Sequence, residues 1–305
     1  MSLIRLGCRS SDLARAQAAL VKQAVSGPLG YTFQERDITT TGDRVTDRPL
    51  YEMGGKNLFC KEIDGALRQG IIDWAVHSLK DVESDLAPDL ALSAVLPAED
   101  PADVLVVKNP AWKKLEDLPL GARVGTSSLR RAGHLRAARS DVVIQSLRGN
   151  VPTRLKALHQ GFDAVVLARA GLNRLGIQQA WIPLSCALMT PAVAQGVIGV
   201  VVRRDDLSRW QEAWRLLDHP PTRLRVTLER SLLSALGATC KTPIGVHAEI
   251  GPHDYPRLHV SLVHPESGDR WYRVYTTPDV NDVEAMANDI RLHVSKDIME
   301  GIGSH

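Results

Sequence analysis

Short apolar runs alternating with stretches of helical period constrain this chain more than any single residue does. Leu3–Gly7, Phe33–Thr39, Trp74–Val76, Leu90–Val95 and Val104–Val107 read as strands. Between the first of them lies a helix capped by Ser10 or Ser11, with Leu13, Ala16, Leu20 and Ala24 on one face and Gly27-Pro28 at its end. A second helix runs from Leu58 to Gln69 and is stopped by Gly70. This rhythm predicts an α/β fold with a mostly parallel sheet flanked by helices, whose ligands sit beyond the carboxyl ends of the strands.

The alternation is punctuated. Pro97-Ala98-Glu99-Asp100-Pro101 reads as a hinge, after which a second unit starts at Arg123: a strand, an arginine-bearing helix, a buried strand at Val142–Ile144, a helix after Asn150, and a strand at Ala164–Ala168. Met189 to Gly196 returns the chain toward the first unit, with Val197–Val202 as a buried strand. Asp218-His219-Pro220-Pro221 opens a third segment. There Thr222 is expected to cap a helix carrying Leu224, Leu228, Leu232 and Leu236, closed by Gly237. Strands at Val246–Ile250, Leu258–Val263 and Trp271–Thr276 and a long helix, about Val280–Met299, complete it. The expected domains are residues 1–98 with 198–216, residues 102–193, and residues 219–305, and 305 residues suffice for two or three cores.

Several function classes are excluded early. The N-terminus lacks the apolar stretch and small-residue cleavage site of a secretory signal, and no apolar run reaches the roughly 20 residues of a membrane span, so a cytoplasmic protein is expected. Cys8, Cys60, Cys186 and Cys240 are scattered, and no H-E-x-x-H occurs, so neither a disulfide framework nor a metal is expected. Gly54-Gly55-Lys56 fails the phosphate-loop pattern and reads as part of a mobile lid within the polar loop Thr40–Lys56. No dinucleotide fingerprint or nucleophile elbow is present.

One stretch breaks the even charge balance. The chain carries a formal net charge of +2, yet Gly125–Lys156 holds Arg130, Arg131, Arg136, Arg139, Arg148, Arg154 and Lys156 against Asp141 alone. Ser127 or Ser128 can cap a helix bearing Arg130 and Arg131; Asn150 can cap a second, with Pro152 in its first turn and Gly161 closing it. Arginines then gather at a strand end and at two helix N-termini, where free amides and the helix dipole already favour anions. The stretch is either a set of solvated surface arginines or a cleft for a polycarboxylate or phosphate. A nucleic-acid groove would need interleaved aromatics, and 5% aromatics gives that little support.

Lys80-Asp81 at the tip of the Trp74 strand, and Cys240 in the loop after Gly237, are the other chemical leads. Six motifs occur in order: HSLKDV at 77–82, VGTSSLRR at 124–131, SLRGNVPTRL at 146–155, LARAGLNRLG at 167–176, PAVAQG at 191–196 and CKTPIG at 240–245. Together they closely resemble the hydroxymethylbilane synthase (porphobilinogen deaminase) family, from about Leu3 to about Ile250.

The resemblance implies a three-domain α/β fold, with two lobes like those of periplasmic binding proteins and a smaller C-terminal domain with a three-stranded sheet. It implies a transferase that joins four porphobilinogens head to tail with loss of ammonia, then hydrolyses off hydroxymethylbilane. It implies a dipyrromethane cofactor held by a thioether to Cys240, with Lys80, Ser128, Arg130 and Arg131 on its carboxylates. Asp81 matches the family's central catalytic residue, and Arg9, Ser11, Arg148, Arg154 and Arg174 match the incoming-substrate side. A monomer with no nucleic-acid or membrane partner is the family expectation.

Departures from the family pattern are Glu83 at a usual proline, Ala194 at a usual glycine, Cys8 at a usual threonine or serine, Asp12 at a usual proline, and Val201-Val202 at a usual Glu-Cys. The competing reading is a non-catalytic two-lobed binding protein for anionic small molecules, which would have no use for Asp81 or Cys240.

Overall fold

The computed structural model describes residues 3–44, 59–239, 242–251, 255–277, 279–295 and 298. The chain opens with β1 (Leu3–Arg9), α1 (Asp12–Leu29), β2 (Thr32–Ile38), α2 (Thr41–Arg44), α3 (Lys61–Arg68), β3 (Trp74–Ser78), β4 (Leu90–Val95) and β5 (Asp103–Val107). It continues through β6 (Arg123–Gly125), α4 (Leu129–Ala138), β7 (Val143–Gln145), α5 (Val151–Lys156), β8 (Ala164–Ala168), α6 (Arg169–Arg174), β9 (Trp181–Pro183) and β10 (Ile198–Arg203). It ends with α7 (Gln211–Leu217), α8 (Pro220–Ala235), β11 (Ile244–Glu249), β12 (Arg257–Val263), β13 (Arg270–Thr276) and α9 (Val283–His293).

Two units result. The first comprises the described residues within 1–46, 55–99 and 196–224; the second, those within 100–195 and 225–305. The first unit holds one five-stranded sheet in the order β2-β1-β3-β10-β4. The second holds a five-stranded sheet in the order β7-β6-β8-β5-β9 and a separate three-stranded sheet, β11-β12-β13.

The five-stranded sheets are mixed rather than mostly parallel in their pairing. β1 pairs parallel with β2 and β3, but β10 lies antiparallel to both β3 and β4. The second sheet repeats the plan: β6 is parallel to β7 and β8, and β5 is antiparallel to β8 and β9. In each sheet the reversed strand lies next to a crossing between the units, β10 just after residue 195 and β5 just after residue 99. Its direction is set by chain connectivity, which local periodicity does not report.

The cores follow from side-chain volume. In the first unit Trp74 is fully buried and meets Trp214 with ring centroids 4.7 Å apart and Trp210 at 5.8 Å. α1 packs on this face, with Ala14, Gln17, Ala18, Val21 and Val25 buried. The expected face was Leu13, Ala16, Leu20 and Ala24, yet Leu20 is 42% exposed. Small side chains let the helix approach the tryptophan cluster, so the alanines and valines turn inward instead. Ser11 is the N-cap of α1, and the helix runs past Gly27-Pro28 to Leu29.

Other boundaries shift for local reasons. α8 starts at Pro220, so Thr222 lies inside it; the His219 ring accepts from the Thr222 amide at 3.3 Å and serves as the cap. Leu224, expected on its buried face, is 40% exposed, while Leu228, Leu232 and Leu233 are buried against the three-stranded sheet. β7 is an edge strand with Val143 46% exposed, not a buried one. The expected last helix starts later than its periodicity suggests and is interrupted: α9 follows a tight turn at Val280–Asp282, and Val294 beyond it is extended, while residues 296, 297 and 299 lie outside the described residues.

Candidate active site

In each five-stranded sheet the predicted site residues follow the carboxyl ends of parallel strands. In the first unit, β1 delivers Arg9 and Ser11, and β3 runs into a tight turn, Leu79–Asp81, that presents Lys80 and Asp81. The backbone pins this turn: the Leu79 amide donates to the Val197 carbonyl at 3.0 Å, and Val82 donates back to Leu79 at 3.2 Å. Asp81 is partly exposed, with Arg9 Nη1 lying 3.8 Å from its Oδ2.

Beneath Asp81, the Cys60 thiol donates to its backbone carbonyl at 3.3 Å and lies 3.8 Å from His77 Nδ1. His77 is buried, and burial with help from the Arg9 charge pulls its pKa down to about 4. It is therefore neutral at physiological pH. Ser11 caps α1 by accepting from the Ala14 amide at 3.3 Å. Ser78 and Gln17 exchange hydrogen bonds of 2.8 and 3.1 Å that tie α1 to the end of β3.

Arg9 has a partner that the sequence did not single out. Its Nη2 pairs with Asp43, and its Nε lies 3.2 and 3.3 Å from the two Asp43 oxygens, while its guanidinium sits 4.3 Å from the Phe59 ring centre. Burial works against the Arg9 charge, but the bond to Asp43 and the fields of Asp81 and Asp43 outweigh it and raise its pKa. Asp43 lay in Thr41-Gly42-Asp43, which read only as part of a polar loop. The expected lid beyond it, residues 45–56, lies outside the described residues.

In the second unit, Ser128 caps α4, accepting from the Arg131 amide at 3.4 Å. Arg130 and Arg131 are buried, 5% and 6% exposed, so they are not solvated surface arginines. Both grip Asp103, itself fully buried: Arg130 Nη2 donates to Oδ2 at 2.7 Å and Arg131 Nη2 to Oδ1 at 2.7 Å. Arg130 also donates to the Thr190 carbonyl at 2.6 Å, and Arg131 to that of Val166 at 3.2 Å. Burial works against the Asp103 charge, but the two guanidiniums hold its pKa far below the usual carboxylate range. Gln195 adds a bond of 2.9 Å to the same carboxylate. Asp103 is remote in sequence from the arginine stretch, where Asp141 was the visible acid. Asp141 instead pairs with Arg139 at 2.6 Å.

Arg148 follows β7, and Arg154 and Arg174 lie on α5 and α6; all three are partly exposed. Asn150 caps α5, accepting from the Thr153 amide at 2.9 Å, and Arg154 Nε donates to the Gly149 carbonyl at 2.9 Å. Arg136 and Arg139 are structural, bound to neighbouring segments. Arg136 donates to the Pro265 carbonyl, and Arg139 donates to that of Leu115 at 2.9 Å besides its pair with Asp141.

Cys240 and Lys241 lie outside the described residues. Their flanks are placed: Thr239 and Thr242 bond to each other, the Thr239 amide to Thr242 Oγ1 at 2.9 Å and the Thr242 amide to the Thr239 carbonyl at 3.0 Å. β11 starts two residues later against Thr190 and Pro191. A Cβ on Gly245 would run into the Thr190 carbonyl, and Val246 donates to Pro191 at 3.0 Å. The strand that follows the cysteine loop is thus built onto the same Thr190 that receives Arg130. α4 is clamped on its other side by the three-stranded sheet, where Gly133 leaves room for Val263 and the buried His134 lies 3.1 Å from Ser261 Oγ.

The donor set suits a polycarboxylate. Two buried guanidiniums against one carboxylate leave a net positive charge, connected through Thr190 to the start of β11, and the forked guanidinium matches carboxylate geometry. Among the described residues no group of three or more histidine, cysteine or acidic side chains is arranged to hold a metal ion.

The fold and these residues define a mixed α/β protein with carboxylate-binding arginines and with carboxylates after strand ends. Residues 4–210 match the family profile described as porphobilinogen deaminase, dipyromethane cofactor binding domain, and residues 223–294 match the porphobilinogen deaminase C-terminal domain. A porphobilinogen deaminase of Roseiflexus sp. (strain RS-1) is 47% identical over 251 residues, covering 80% of this chain and 81% of the relative. One of Syntrophobacter fumaroxidans is 45% identical over 251 residues, 81% of this chain and 80% of the relative. One of Moorella thermoacetica is 41% identical over 290 residues, 94% of this chain and 91% of the relative. The chain belongs to the porphobilinogen deaminase family. A non-catalytic anion-binding role is not favoured.

Proposed function

We propose that this protein is a hydroxymethylbilane synthase, condensing four porphobilinogens head to tail and releasing ammonia, then hydrolysing the product to hydroxymethylbilane. The match of both family profiles in register along the chain carries this reading. Cys240 is the attachment residue for dipyrromethane, with Ser128, Arg130, Arg131 and Lys80 on its carboxylates. When bound, that group supplies the electron-rich pyrrole onto which the first substrate is added.

The chain's own residues do the rest. Each porphobilinogen carries an acetate and a propionate, which Arg9, Arg148, Arg154 and Arg174 receive, with Ser11 on the same side. A charge-assisted bond of this kind contributes about 1.5–3 kcal/mol net. Loss of ammonia from the substrate's aminomethyl group leaves an azafulvenium cation. Asp81 stabilises it: one carboxylate about 4 Å from a unit positive charge is worth about 4 kcal/mol at an effective dielectric near 20. The protein acts as a cytoplasmic monomer without nucleic-acid partners. No helix among the described residues is long and apolar enough to cross a membrane.

Intact mass under denaturing, reducing conditions tests the reading. The protein should exceed its sequence mass by a dipyrromethane that dithiothreitol does not remove, and Cys240→Ala should match its sequence mass. An active yet unmodified wild type would overturn the cofactor assignment. The folded Asp81→Asn protein should keep the adduct and lose nearly all ammonia release, since the shape stays while the charge goes.

A further inference from the structure

The arrangement around Arg9 assigns a task to a residue with no role so far. Arginine meets a carboxylate best through its Nε–Nη2 edge, where two parallel N–H groups match two oxygens. Arg9 has committed that edge to Asp43, with Nη2 paired to it and Nε 3.2 and 3.3 Å from its oxygens. Only Nη1 is turned toward Asp81, and at 3.8 Å it is beyond hydrogen-bond distance. The guanidinium carbon lies over the Phe59 ring, 4.3 Å from its centre, a cation–π contact that favours this placement of the cation. Two carboxylates from different strand ends therefore compete for one cation, and Asp43 holds it.

We infer that Asp43 is a positioning residue for the reaction: it holds Arg9 in a loose ion pair with Asp81, at 3.8 Å, and keeps it from a hydrogen-bonded one that would occupy the Asp81 oxygens. The inference rests on the role proposed for Asp81 above. A bidentate Arg9–Asp81 pair would neutralise the carboxylate that must meet the substrate cation, and would remove Arg9 from the substrate carboxylates as well. Asp43 is itself anchored, because its Oδ2 accepts from Thr40 Oγ1 at 2.7 Å and from the Thr40 amide at 3.2 Å. The backbone bond persists whatever side chain stands at position 40, so Asp43 stays a fixed post even without the hydroxyl.

The competing explanation is that Asp43 matters only for the turn it forms with Thr40, and a set of variants separates the two. Asp43→Asn keeps an oxygen for Thr40 and removes the charge; Thr40→Val loosens the turn and leaves the Arg9–Asp43 pair. In crystals of holo Asp43→Asn, Arg9 should have moved onto Asp81 with a nitrogen–oxygen distance near 3 Å, and an Arg9 that stays in place overturns the inference whether or not the protein proves to be the synthase. In turnover of porphobilinogen, Asp43→Asn should lower kcat at least tenfold, Asp43→Glu should recover to within about threefold of wild type, and Thr40→Val should stay within about twofold. In an Arg9→Gln background the Asp43→Asn change should cost less than about twofold more. Fully additive losses in that double variant, or a Thr40→Val loss equal to that of Asp43→Asn, would reduce Asp43 to a turn former. A wild type that releases no ammonia from porphobilinogen fails the functional reading instead, and leaves the crystallographic comparison to decide the placement of Arg9.

Discussion

Asp103 faces two guanidinium groups in a region closed to water, and that imbalance shapes what each residue there can tolerate. Removing one partner of a buried charged network costs about 3–5 kcal/mol, because the remaining charge is stranded. Asp103→Asn strands two. It should therefore lower the unfolding midpoint markedly and reduce the fraction of protein carrying the adduct. Asp81→Asn, at a partly exposed turn, should leave the midpoint nearly unchanged. Denaturation curves for the two variants check this, and equal midpoints would remove Asp103 from its place as the counter-ion. Ala194 presents the opposite case. It is the non-glycine residue with positive φ, 55°, among those described, and it is fully buried. Its amide donates to Glu229 Oε2 at 2.6 Å, while Arg225, His247 and the Ala248 amide hold the other oxygen of Glu229. The network holds the backbone in a conformation that costs an L-residue roughly 1–2 kcal/mol, of which the greater chain freedom of unfolded glycine returns a part. Ala194→Gly should thus stabilise the protein by up to about 1 kcal/mol, seen as a small rise in the thermal midpoint. A fall would show that the strain is already relieved.

At the scale of elements, α4 and α5 both carry arginines after a strand, yet they use them differently. α4 carries Arg136 in its last turn, bound to the Pro265 carbonyl, and is followed by Arg139, bound to Asp141 and Leu115; these side chains hold segments together. Arg148 and Arg154 flank the Asn150 cap at a strand end, partly exposed. Replacing Arg148 or Arg154 by leucine should therefore raise KM or lower kcat by tenfold or more with little loss of stability. The same change at Arg136 or Arg139 should lower the midpoint while the folded fraction keeps its turnover. Kinetics and melting measured on the same four preparations decide it, and equal activity losses at all four would contradict the geometry. The strand ends, the Ser128 and Asn150 caps and the six ordered motifs were legible because each is local: a short side chain, a turn and a short spacing suffice to specify them. What escaped was set by distance. Asp103 and Asp43 reach their arginines across gaps of 27 and 34 residues, and no local pattern marks either as an ion-pair partner. The reversal of β10 and the inward face of α1 likewise depend on the route of the chain and on the tryptophans that the helix meets.

The whole molecule repeats one strand order in two sheets, and in each the chemical side chains follow strand carboxyl ends, where backbone amides and helix N-termini already favour anions. The division of labour between the units is unequal. The first supplies Asp81, Arg9 and Lys80 over a tryptophan-rich core. The second joins the arginine pair through Thr190 to β11, the strand after the Cys240 loop, and clamps α4 against β12. A cofactor whose carboxylates offset the excess positive charge of Arg130 and Arg131 stabilises the state that binds it, by linkage. That stabilisation should be localised. In Cys240→Ser, which cannot form the thioether, hydrogen exchange should quicken by about tenfold or more in α4 and at the start of β11, a change of about 1.4 kcal/mol per factor of ten. Peptides covering Trp74, α1 and α7 should exchange as in the wild type, with any change in the first unit confined to residues 79–83 around Lys80. Uniform quickening across both units would mean that the cofactor stabilises the fold globally. Unchanged exchange in α4 would mean that the arginine pair does not hold the cofactor's carboxylates, and Arg130 and Arg131 would then serve only to bind Asp103.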